Sequence, residues 1–225
     1  MKKMIAKGKI KKISMLKKDA NRKDTRKMRK VIRTSAGFVL CMMILVGCGQ
    51  KHHLKISDCK NDTLFIAKNG QLELVDVEKF DKSYYDQKEL KNYIQDSIKD
   101  FMETNTAAKV KMEQFSVQKK EAKVLLTFDS ADTYQLFQQE KFQLLSSQEV
   151  ESNLVLPENF ISAKDGKTVS KATVLNEKDL YFLITKEALD IQLDGKIVYY
   201  SDASLTGDNL IQTTGDKTAV VIYKK

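Results

Sequence analysis

DQKELKNYIQDSIKDFM, residues 86–102, carries the clearest secondary-structure pattern of the chain. Asp86 stands three residues before Glu89, which resembles a capping box with Asp in place of Ser or Thr. Large apolar side chains then recur at the spacing of one helical face: Leu90, Tyr93, Ile94, Ile98, Phe101 and Met102. This pattern predicts one amphipathic helix over residues 87–104.

Outward from this helix, two stretches have the pattern of β-hairpins. Residues 63–77 place apolar runs on both sides of Asn69-Gly70, and residues 189–200 do the same around Asp194-Gly195. Such residue pairs supply the positive φ angles that a tight hairpin turn needs. Residues 219–223 are apolar throughout, so we expect them to form an inner strand.

The rest of the folded region gives weaker strand and helix patterns, and residues 141–180 are the hardest to read. The other predicted elements are a short helix at 130–140, capped by Ser130, and strands at 109–118, 122–128, 160–163 and 181–185. Strands grouped at both ends of a region, with helices between them, are typical of an α+β fold. We therefore predict an α+β domain in which a largely antiparallel sheet packs with one main amphipathic helix and a second short helix.

Positive charge is concentrated at the N-terminus. The whole chain carries a formal net charge of +9, but residues 1–33 hold 15 Lys and Arg against two Asp, a net charge of +13. Residues 34–225 therefore carry a net charge of −4. A nucleic-acid-binding domain needs a clustered cationic face to neutralise phosphates, so we expect no nucleic acid as a partner.

An uncharged apolar run, residues 36–46, follows this basic segment. As a helix it would cover roughly half of a 30 Å hydrocarbon core, which fits the central region of a signal peptide. The run ends in a motif that resembles the lipobox of bacterial lipoproteins: Leu45, Val46, Gly47 and Cys48. The resemblance implies that the Cys48 thiol receives diacylglycerol and that a signal peptidase cuts before it. The alternative is an uncleaved membrane anchor with an incidental cysteine.

The lipobox resemblance divides the chain into four segments. Residues 28–47 would be the signal peptide, since Met28 gives a start of ordinary length. We expect the basic extension before it, residues 1–27, to be disordered or not translated; the alternative is an arm that binds nucleic acid or lipid. Residues 48–60 would form a lipidated, polar tether, and residues 61–225 a single domain.

A second resemblance covers most of the predicted domain. Lys68-Asn69-Gly70, residues 80–90 and residues 219–224 look like the matching stretches of a family of uncharacterised lipoproteins from clostridia. This resemblance implies a surface-anchored single domain. It brings no catalytic residues, because none are assigned in that family.

Histidine and cysteine are badly placed for catalysis. His52 and His53 are the two histidines of the chain, and both fall in the predicted tether. Ser-His-Asp hydrolases, Cys-His enzymes and His-rich zinc enzymes need imidazole inside the domain, so we expect none of these classes. Cys59 would be the single thiol of the domain region, and we expect it to be buried at the start of the fold rather than reactive.

Acidic and aromatic residues give two weaker leads. Residues 76–86 are the densest acidic stretch, which would offer oxygens to Ca²⁺ or a carboxylate pair to a sugar, although an EF-hand loop is lacking. Tyr84-Tyr85 and Tyr199-Tyr200 each turn one ring outward in an extended chain, where it would be able to stack on a glycan. We predict no catalytic residue, no metal and no cofactor.

Together these observations predict an extracytoplasmic lipoprotein, held by its acylated Cys48 on the outer face of the cytoplasmic membrane. Its domain would be a non-catalytic binding or interaction module for a cell-envelope protein or glycan. A carboxylate-dependent enzyme acting on cell-wall polysaccharide stays open, and a pocket with two close carboxyls would favour it. A transport solute-binding protein would need two lobes, for which the 178 residues from Cys48 onward are few.

Overall fold

The computed structural model describes residues 52–150 and 154–225, and these residues adopt an α+β fold. Their helices are α1 (Gln87–Thr104), α2 (Ala131–Gln138) and α3 (Lys171–Leu175). Their strands are β1 (Thr63–Ile66), β2 (Leu72–Lys79), β3 (Val110–Gln118), β4 (Glu121–Phe128), β5 (Phe142–Ser146), β6 (Asn159–Ser162), β7 (Thr168–Ser170), β8 (Tyr181–Thr185), β9 (Asp190–Leu193), β10 (Lys196–Ser201), β11 (Ala203–Gly207), β12 (Leu210–Thr213) and β13 (Ala219–Lys224). The predicted α+β class is confirmed, with α1 as the main helix and α2 as the short one.

The strands belong to two sheets rather than to one. The first sheet has the order β11-β12-β9-β1-β2-β4-β3, and the second has the order β5-β8-β13-β10-β6-β7. Within the described residues the strand pairs are antiparallel, except for β1 and β9, which run parallel. The inner strand predicted at residues 219–223 is confirmed, because β13 lies between β8 and β10.

Alternation along the strands sorts apolar side chains to the two faces of each sheet. In β1, Leu64 and Ile66 enter the main core, whereas Phe65 belongs to a separate cluster on the opposite, outer face of the first sheet. In β13, Val221 enters the same main core, whereas Val220 belongs to a cluster on the outer face of the second sheet. The two sheets therefore share one core, and each also has an outer apolar face that needs its own cover.

Helix α1 begins and ends where the sequence predicts. The Asp86 side chain accepts a hydrogen bond from the Glu89 backbone N–H at 2.9 Å, which caps the first turn. Leu90, Ile94 and Ile98 are buried and pack in the main core. The apolar stripe thus faces the interior, as the helical period requires.

Helix α2 confirms the second predicted helix. The Ser130 side chain accepts a hydrogen bond from the Thr133 backbone N–H at 3.1 Å and caps this helix in the same way. Tyr134 is fully buried in the main core. The rings of Phe137 in α2 and Phe101 in α1 meet edge to face with their centroids 5.2 Å apart, so the two helices contact each other directly.

The hairpin predicted at residues 63–77 is confirmed. Strands β1 and β2 pair antiparallel, with Ile66 opposite Leu72. In the turn, the Gly70 backbone N–H donates to the Ala67 carbonyl oxygen at 3.0 Å, and Gly70 has a φ of +86°. A residue with a Cβ is strained at this φ, so the turn requires glycine.

The hairpin predicted at residues 189–200 is wrong. Strand β9 pairs with β1 and β12 in the first sheet, whereas β10 pairs with β13 and β6 in the second. Asp194-Gly195 therefore connects the two sheets instead of turning the chain back on itself. Glycine is needed there for another reason, because a Cβ on Gly195 would lie 2.5 Å from the carbonyl oxygen of Lys224.

Five elements have no counterpart in the sequence prediction: α3, β5, β7, β11 and β12. Each is three to five residues long, so its periodic pattern is weak. The predicted strands at residues 160–163 and 181–185 are confirmed as β6 and β8. Three of the missed elements, β5, β7 and β11, are edge strands.

Candidate functional site

The first part of the described chain, residues 52–60, packs on the outer face of the first sheet. We call it the N-terminal segment. Its Leu54 and Cys59 side chains are 5% and 7% exposed, and they join Phe65 and Val75 of the sheet in the outer cluster. These residues therefore belong to the domain, and the prediction of a solvated tether over them is wrong. The apolar outer face of β1 and β2 must be covered, and the N-terminal segment covers it. The mostly polar composition of the segment gives no sign of this role in the sequence.

Hydrogen bonds fix both ends of the N-terminal segment to the sheet. The backbone N–H groups of His53 and Leu54 both donate to Glu73 Oε2, each at 2.9 Å. At the other end, the Lys123 ammonium donates to the Cys59 carbonyl oxygen at 2.6 Å. Charge-assisted bonds of this kind are among the stronger ones in proteins, so the segment has a defined position on the sheet.

Both histidines contact side chains of the first sheet. The His53 ring stacks on Phe65, with ring centroids 4.0 Å apart and an angle of 15° between the planes. The two ring nitrogens of His52 lie 3.5 Å from Glu73 Oε1 and 3.7 Å from Glu113 Oε2. The expectation that neither imidazole belongs to the domain is therefore wrong, and the argument that excluded His-dependent enzymes loses its premise.

Cys59 lies where the sequence predicts, buried at the start of the fold. Its Sγ donates a weak hydrogen bond to the Lys55 carbonyl oxygen at 3.5 Å. Burial raises the pKa of the Cys59 thiol, which keeps it in the unreactive neutral form at neutral pH. Its position in the outer cluster indicates a packing role.

A cavity of about 420 Å³ opens between the N-terminal segment and the outer face of the first sheet. The register places Asp190 beside Thr63 and Gln192 beside Phe65, so both polar side chains stand on the outer face. Asp190 accepts hydrogen bonds from the Asn61 side-chain amide at 3.0 Å and from the Gln212 side-chain amide at 2.7 Å. Amide and carboxylate groups thus form one wall of this cavity, which we call the segment cavity.

The other walls of the segment cavity are an imidazole ring and charged side chains. His53 lines it, and the side chain of this residue is 53% exposed even though one ring face rests on Phe65. The charged lining residues are Lys55, Asp58, Lys60 and Asp190. The site therefore combines a flat ring, hydrogen-bonding groups of both kinds and a balanced formal charge. Sequence reasoning missed it, although the alternation of Asp190, Ile191, Gln192 and Leu193 does place two polar side chains on one face of a strand.

A buried acidic group lies at the junction between the sheets. Glu187, between β8 and β9, accepts a hydrogen bond from the Tyr134 hydroxyl at 3.1 Å, and its other oxygen is buried without a hydrogen-bond partner among the described residues. Burial raises the pKa of Glu187 to about 7, and the nearby Glu140 and Asp62 add smaller increases. A carboxyl that is half protonated near neutral pH has the property of a general acid.

The second cavity, of about 490 Å³, lies between α1 and α2. Its walls include Phe101 and Leu136, and Leu136 is 56% exposed. The carboxylate among its lining residues is Asp100 alone. This cavity therefore does not offer the pair of close carboxyls that would favour a polysaccharide-cleaving enzyme.

The tyrosines that the sequence singles out differ in their surroundings. The Tyr84 ring is 56% exposed and meets Tyr85 edge-on at 5.0 Å. A hydrogen bond from the Tyr199 hydroxyl to the Glu177 carboxylate raises the pKa of Tyr199 to about 12. Tyr200 packs against the main core. Tyr84 is thus the most exposed ring of the four.

The remaining features considered from the sequence are a metal site, a membrane anchor and a lipidation motif. Asp86, in the acidic stretch at residues 76–86, caps α1, and across the described residues no group of three or more His, Cys, Asp or Glu side chains is placed to hold a metal ion. The described helices include none that is long and apolar enough to cross a membrane. The predicted extension, the signal peptide and the lipobox lie outside the described residues; the lipobox residues are Leu45, Val46, Gly47 and Cys48.

Known proteins give no relative from which a function could be transferred. Comparison of the chain with protein-family models, with curated proteins and with solved structures found no match. The site must therefore be interpreted from its own geometry.

Proposed function

We propose that this chain is a lipoprotein, held by acylated Cys48 on the outer face of the cytoplasmic membrane, whose domain is a non-catalytic binding module of the cell envelope. The anchor rests on the sequence, in which a basic segment, an apolar run and a lipobox-like motif follow one another in the required order. The binding role rests on one structural observation. The segment cavity is polar, and its walls come from both the N-terminal segment and the first sheet.

The N-terminal segment also limits how far the domain would stand from the membrane. Cys48 and His52 are four residues apart, and four extended residues span at most about 14 Å. His52 already contacts Glu73 at the start of β2. An anchored chain would thus keep this end of the first sheet close to the lipid surface, and its cavity within reach of envelope components near the membrane.

The anchor is tested by feeding an alkyne-bearing fatty acid to bacteria that express the full chain, followed by salt washing of the membranes. The wild-type chain should carry the label and stay in the membrane fraction, because each buried CH₂ of an acyl chain contributes about 0.8 kcal/mol. Cys48→Ala should lose both the label and the membrane retention. Cys59→Ala is the matched control and should keep both, because Cys59 is buried in the outer cluster. A Cys48→Ala chain that resists the salt wash would contradict the anchor.

One observation favours the alternative, a carboxylate-dependent enzyme acting on cell-wall polysaccharide. Glu187 combines a pKa raised to about 7 with a buried oxygen that has no hydrogen-bond partner among the described residues, as a general acid would. The test is release of reducing ends from purified peptidoglycan by the purified chain. An enzyme of this kind would release them, Glu187→Gln would not, and the exposed Glu103→Gln would behave like wild type. No release by the wild-type chain would reject this alternative.

The solute-binding alternative finds no support in the architecture. Transport proteins of that kind close two separate lobes on a ligand, whereas here Val221 of the second sheet and Leu64 of the first sheet share one core. A cleft that opens between the sheets would have to expose these buried side chains to water, at a cost of about 25 cal/mol for each Å² of apolar surface.

A further inference from the structure

We propose that the segment cavity binds a neutral saccharide unit of an envelope glycan. The inference deepens the proposed binding function, on which it rests, by naming the class of ligand. Three features of the cavity carry it: a wall of amide and carboxylate groups, a flat ring and a balanced charge.

The amide and carboxylate wall matches the chemistry of sugar hydroxyls. A hydroxyl group both donates and accepts hydrogen bonds, so a saccharide needs donors and acceptors side by side. Asn61 and Gln192 supply amide groups that can do both, and Asp190 supplies a carboxylate. A carboxylate has about four lone-pair sites, of which the bonds from Asn61 and Gln212 use two, so Asp190 can accept further hydrogen bonds from a ligand. The same two amide bonds hold the carboxylate in one orientation, which lowers the cost of ordering it on binding.

The His53 ring supplies a flat surface for the apolar face of a sugar. Phe65 lies under one face of the ring, with the ring centroids 4.0 Å apart, and fixes its plane, while the His53 side chain stays 53% exposed and lines the cavity. Gln192 is the strand neighbour of Phe65, so the ring and the polar wall lie next to each other. A saccharide that lays its C–H face on the ring would therefore turn its hydroxyl groups toward Gln192 and Asp190. A purely apolar ligand would leave these polar groups without partners, which is costly.

The charge and the volume of the segment cavity restrict the class of ligand further. Lys55, Lys60, Asp58 and Asp190 all line the cavity, so its positive and negative formal charges balance. A phosphate-rich polymer would need an excess of positive charge, and a basic peptide an excess of negative charge. The volume of about 420 Å³ lies within the usual range of small-molecule sites, roughly 300–1,000 Å³. A neutral mono- or disaccharide satisfies both conditions.

The test is saturation-transfer NMR on the full chain, solubilised in a detergent that contains no sugar. The probes are N-acetylglucosamine, its β-1,4-linked dimer, glucose and maltose, with glycerol phosphate as the anionic comparison. We expect at least one neutral sugar to receive saturation and glycerol phosphate to receive none. Gln192→Ala should raise the Kd of that sugar at least tenfold, and His53→Ala should have a similar effect through loss of the stacking surface.

Gln114→Ala is the matched control. Gln114 is the same residue type on the same face of the first sheet, opposite Leu125 of the outer cluster, but on the edge strand β3 and away from the segment cavity. This variant should bind like wild type. Saturation of glycerol phosphate alone, no saturation of any neutral sugar, or equal weakening by Gln192→Ala and Gln114→Ala would each overturn the inference.

Membrane fractionation separates this inference from the proposed anchor. Gln192→Ala should remain in the membrane fraction, whereas Cys48→Ala should still bind the sugar. An anchored chain that binds no neutral sugar would overturn only the ligand class. A chain that binds the sugar but is neither acylated nor retained by the membrane would overturn only the anchor.

Discussion

Asn69-Gly70 and Asp194-Gly195 present the same signal in the sequence, an Asx-Gly pair between two apolar runs, yet they do opposite things. The first pair lies in the turn between β1 and β2, which are neighbours in one sheet. The second pair ends β9 in the first sheet and begins β10 in the second. The same kind of residue pair thus joins two paired strands in one region and connects the two sheets in the other.

The difference lies in what each glycine needs. Gly70 has a φ of +86° and nothing within 4 Å of an added Cβ, so the backbone conformation demands glycine there. Gly195 has no positive φ, but an added Cβ would meet the Lys224 carbonyl oxygen at 2.5 Å and the Tyr223 ring at 2.9 Å. The first requirement is local and can be derived from neighbouring residues. The second requirement depends on Tyr223 and Lys224 of β13, which lie 28 and 29 residues further along the chain, and cannot be derived from neighbouring residues.

The largest effect is expected within the locally determined region, at helix α1. Ile98→Ala should lower the free energy of unfolding by about 2–5 kcal/mol, because it empties a site in the main core. Ser97→Ala, one position along and on another side of the helix, should change it by less than about 0.5 kcal/mol. Urea unfolding curves of the purified variants measure both. Equal and small effects would show that the α1 stripe does not carry the packing that we assign to it.

The next effect concerns the junction between the sheets. Gly195→Ala should destabilise the fold by about 3 kcal/mol, since the backbone of β13 must move to make room for the methyl group. Thermal unfolding followed by circular dichroism would measure the loss.

Gly70→Ala, in the turn between β1 and β2, is the comparison for Gly195→Ala. It should lower the free energy of unfolding by about 1–2 kcal/mol, because a residue with a Cβ is strained in the left-handed conformation. Asn tolerates positive φ, so Gly70→Asn should recover part of this loss, whereas Gly195→Asn should be as damaging as Gly195→Ala or more so. Recovery by Asn at residue 195 would mean that backbone conformation, and not close approach, explains both glycines.

The same distinction between local and distant causes explains which parts of the fold the sequence predicts. Helix α1 is predicted to the residue, because its cap at Asp86 and its stripe of Leu90, Ile94 and Ile98 lie within one continuous stretch. The second sheet is not predicted as a separate layer, since membership of a sheet is decided by pairing between distant strands. The stretch 219–223 of β13 predicts an inner strand, because a strand that is buried on both faces is apolar throughout and shows no alternation.

The candidate site is likewise formed by residues that lie far apart in the sequence. Its walls combine Asn61, just before β1, with Asp190 and Gln192, about 130 residues later, and these meet only through the parallel pairing of β1 and β9. The role of His53 is equally hidden, because its polar neighbours indicate a tether until the apolar outer face of the sheet is known. The fold class could therefore be derived from the sequence, whereas the site could not.

The last prediction is that the stability of the fold depends on pH through Glu187, at the junction between the two sheets, rather than through a carboxylate in helix α1. Burial raises the pKa of Glu187 from 4.5 to about 7 in the folded chain, so between these values the folded state holds a proton that the unfolded state has lost. Stability should therefore fall as the pH rises from about 4.5 to about 7, and the loss should be complete above that range. Glu187→Gln keeps an acceptor for the Tyr134 hydroxyl without a charge. Its free energy of unfolding should exceed that of wild type by about 2 kcal/mol at pH 8, after allowance for partial solvent screening, and should equal that of wild type at pH 4.

Denaturant unfolding of both chains at pH 4, 6 and 8 measures this difference, and Glu103→Gln on the exposed face of α1 is the matched control. The free energies of unfolding of wild type and Glu103→Gln should fall by the same amount as the pH rises, while that of Glu187→Gln stays above both at pH 8. The junction is the place for such an effect because Glu187 lies between β8 of the second sheet and β9 of the first, and one of its oxygens is buried with no partner in the described part of the chain. An ionised carboxylate there disturbs the contact of both sheets, whereas an ionised carboxylate at an exposed helix position is solvated by water. Curves for Glu187→Gln and Glu103→Gln that run parallel at all three pH values would show that the junction bears no such charge.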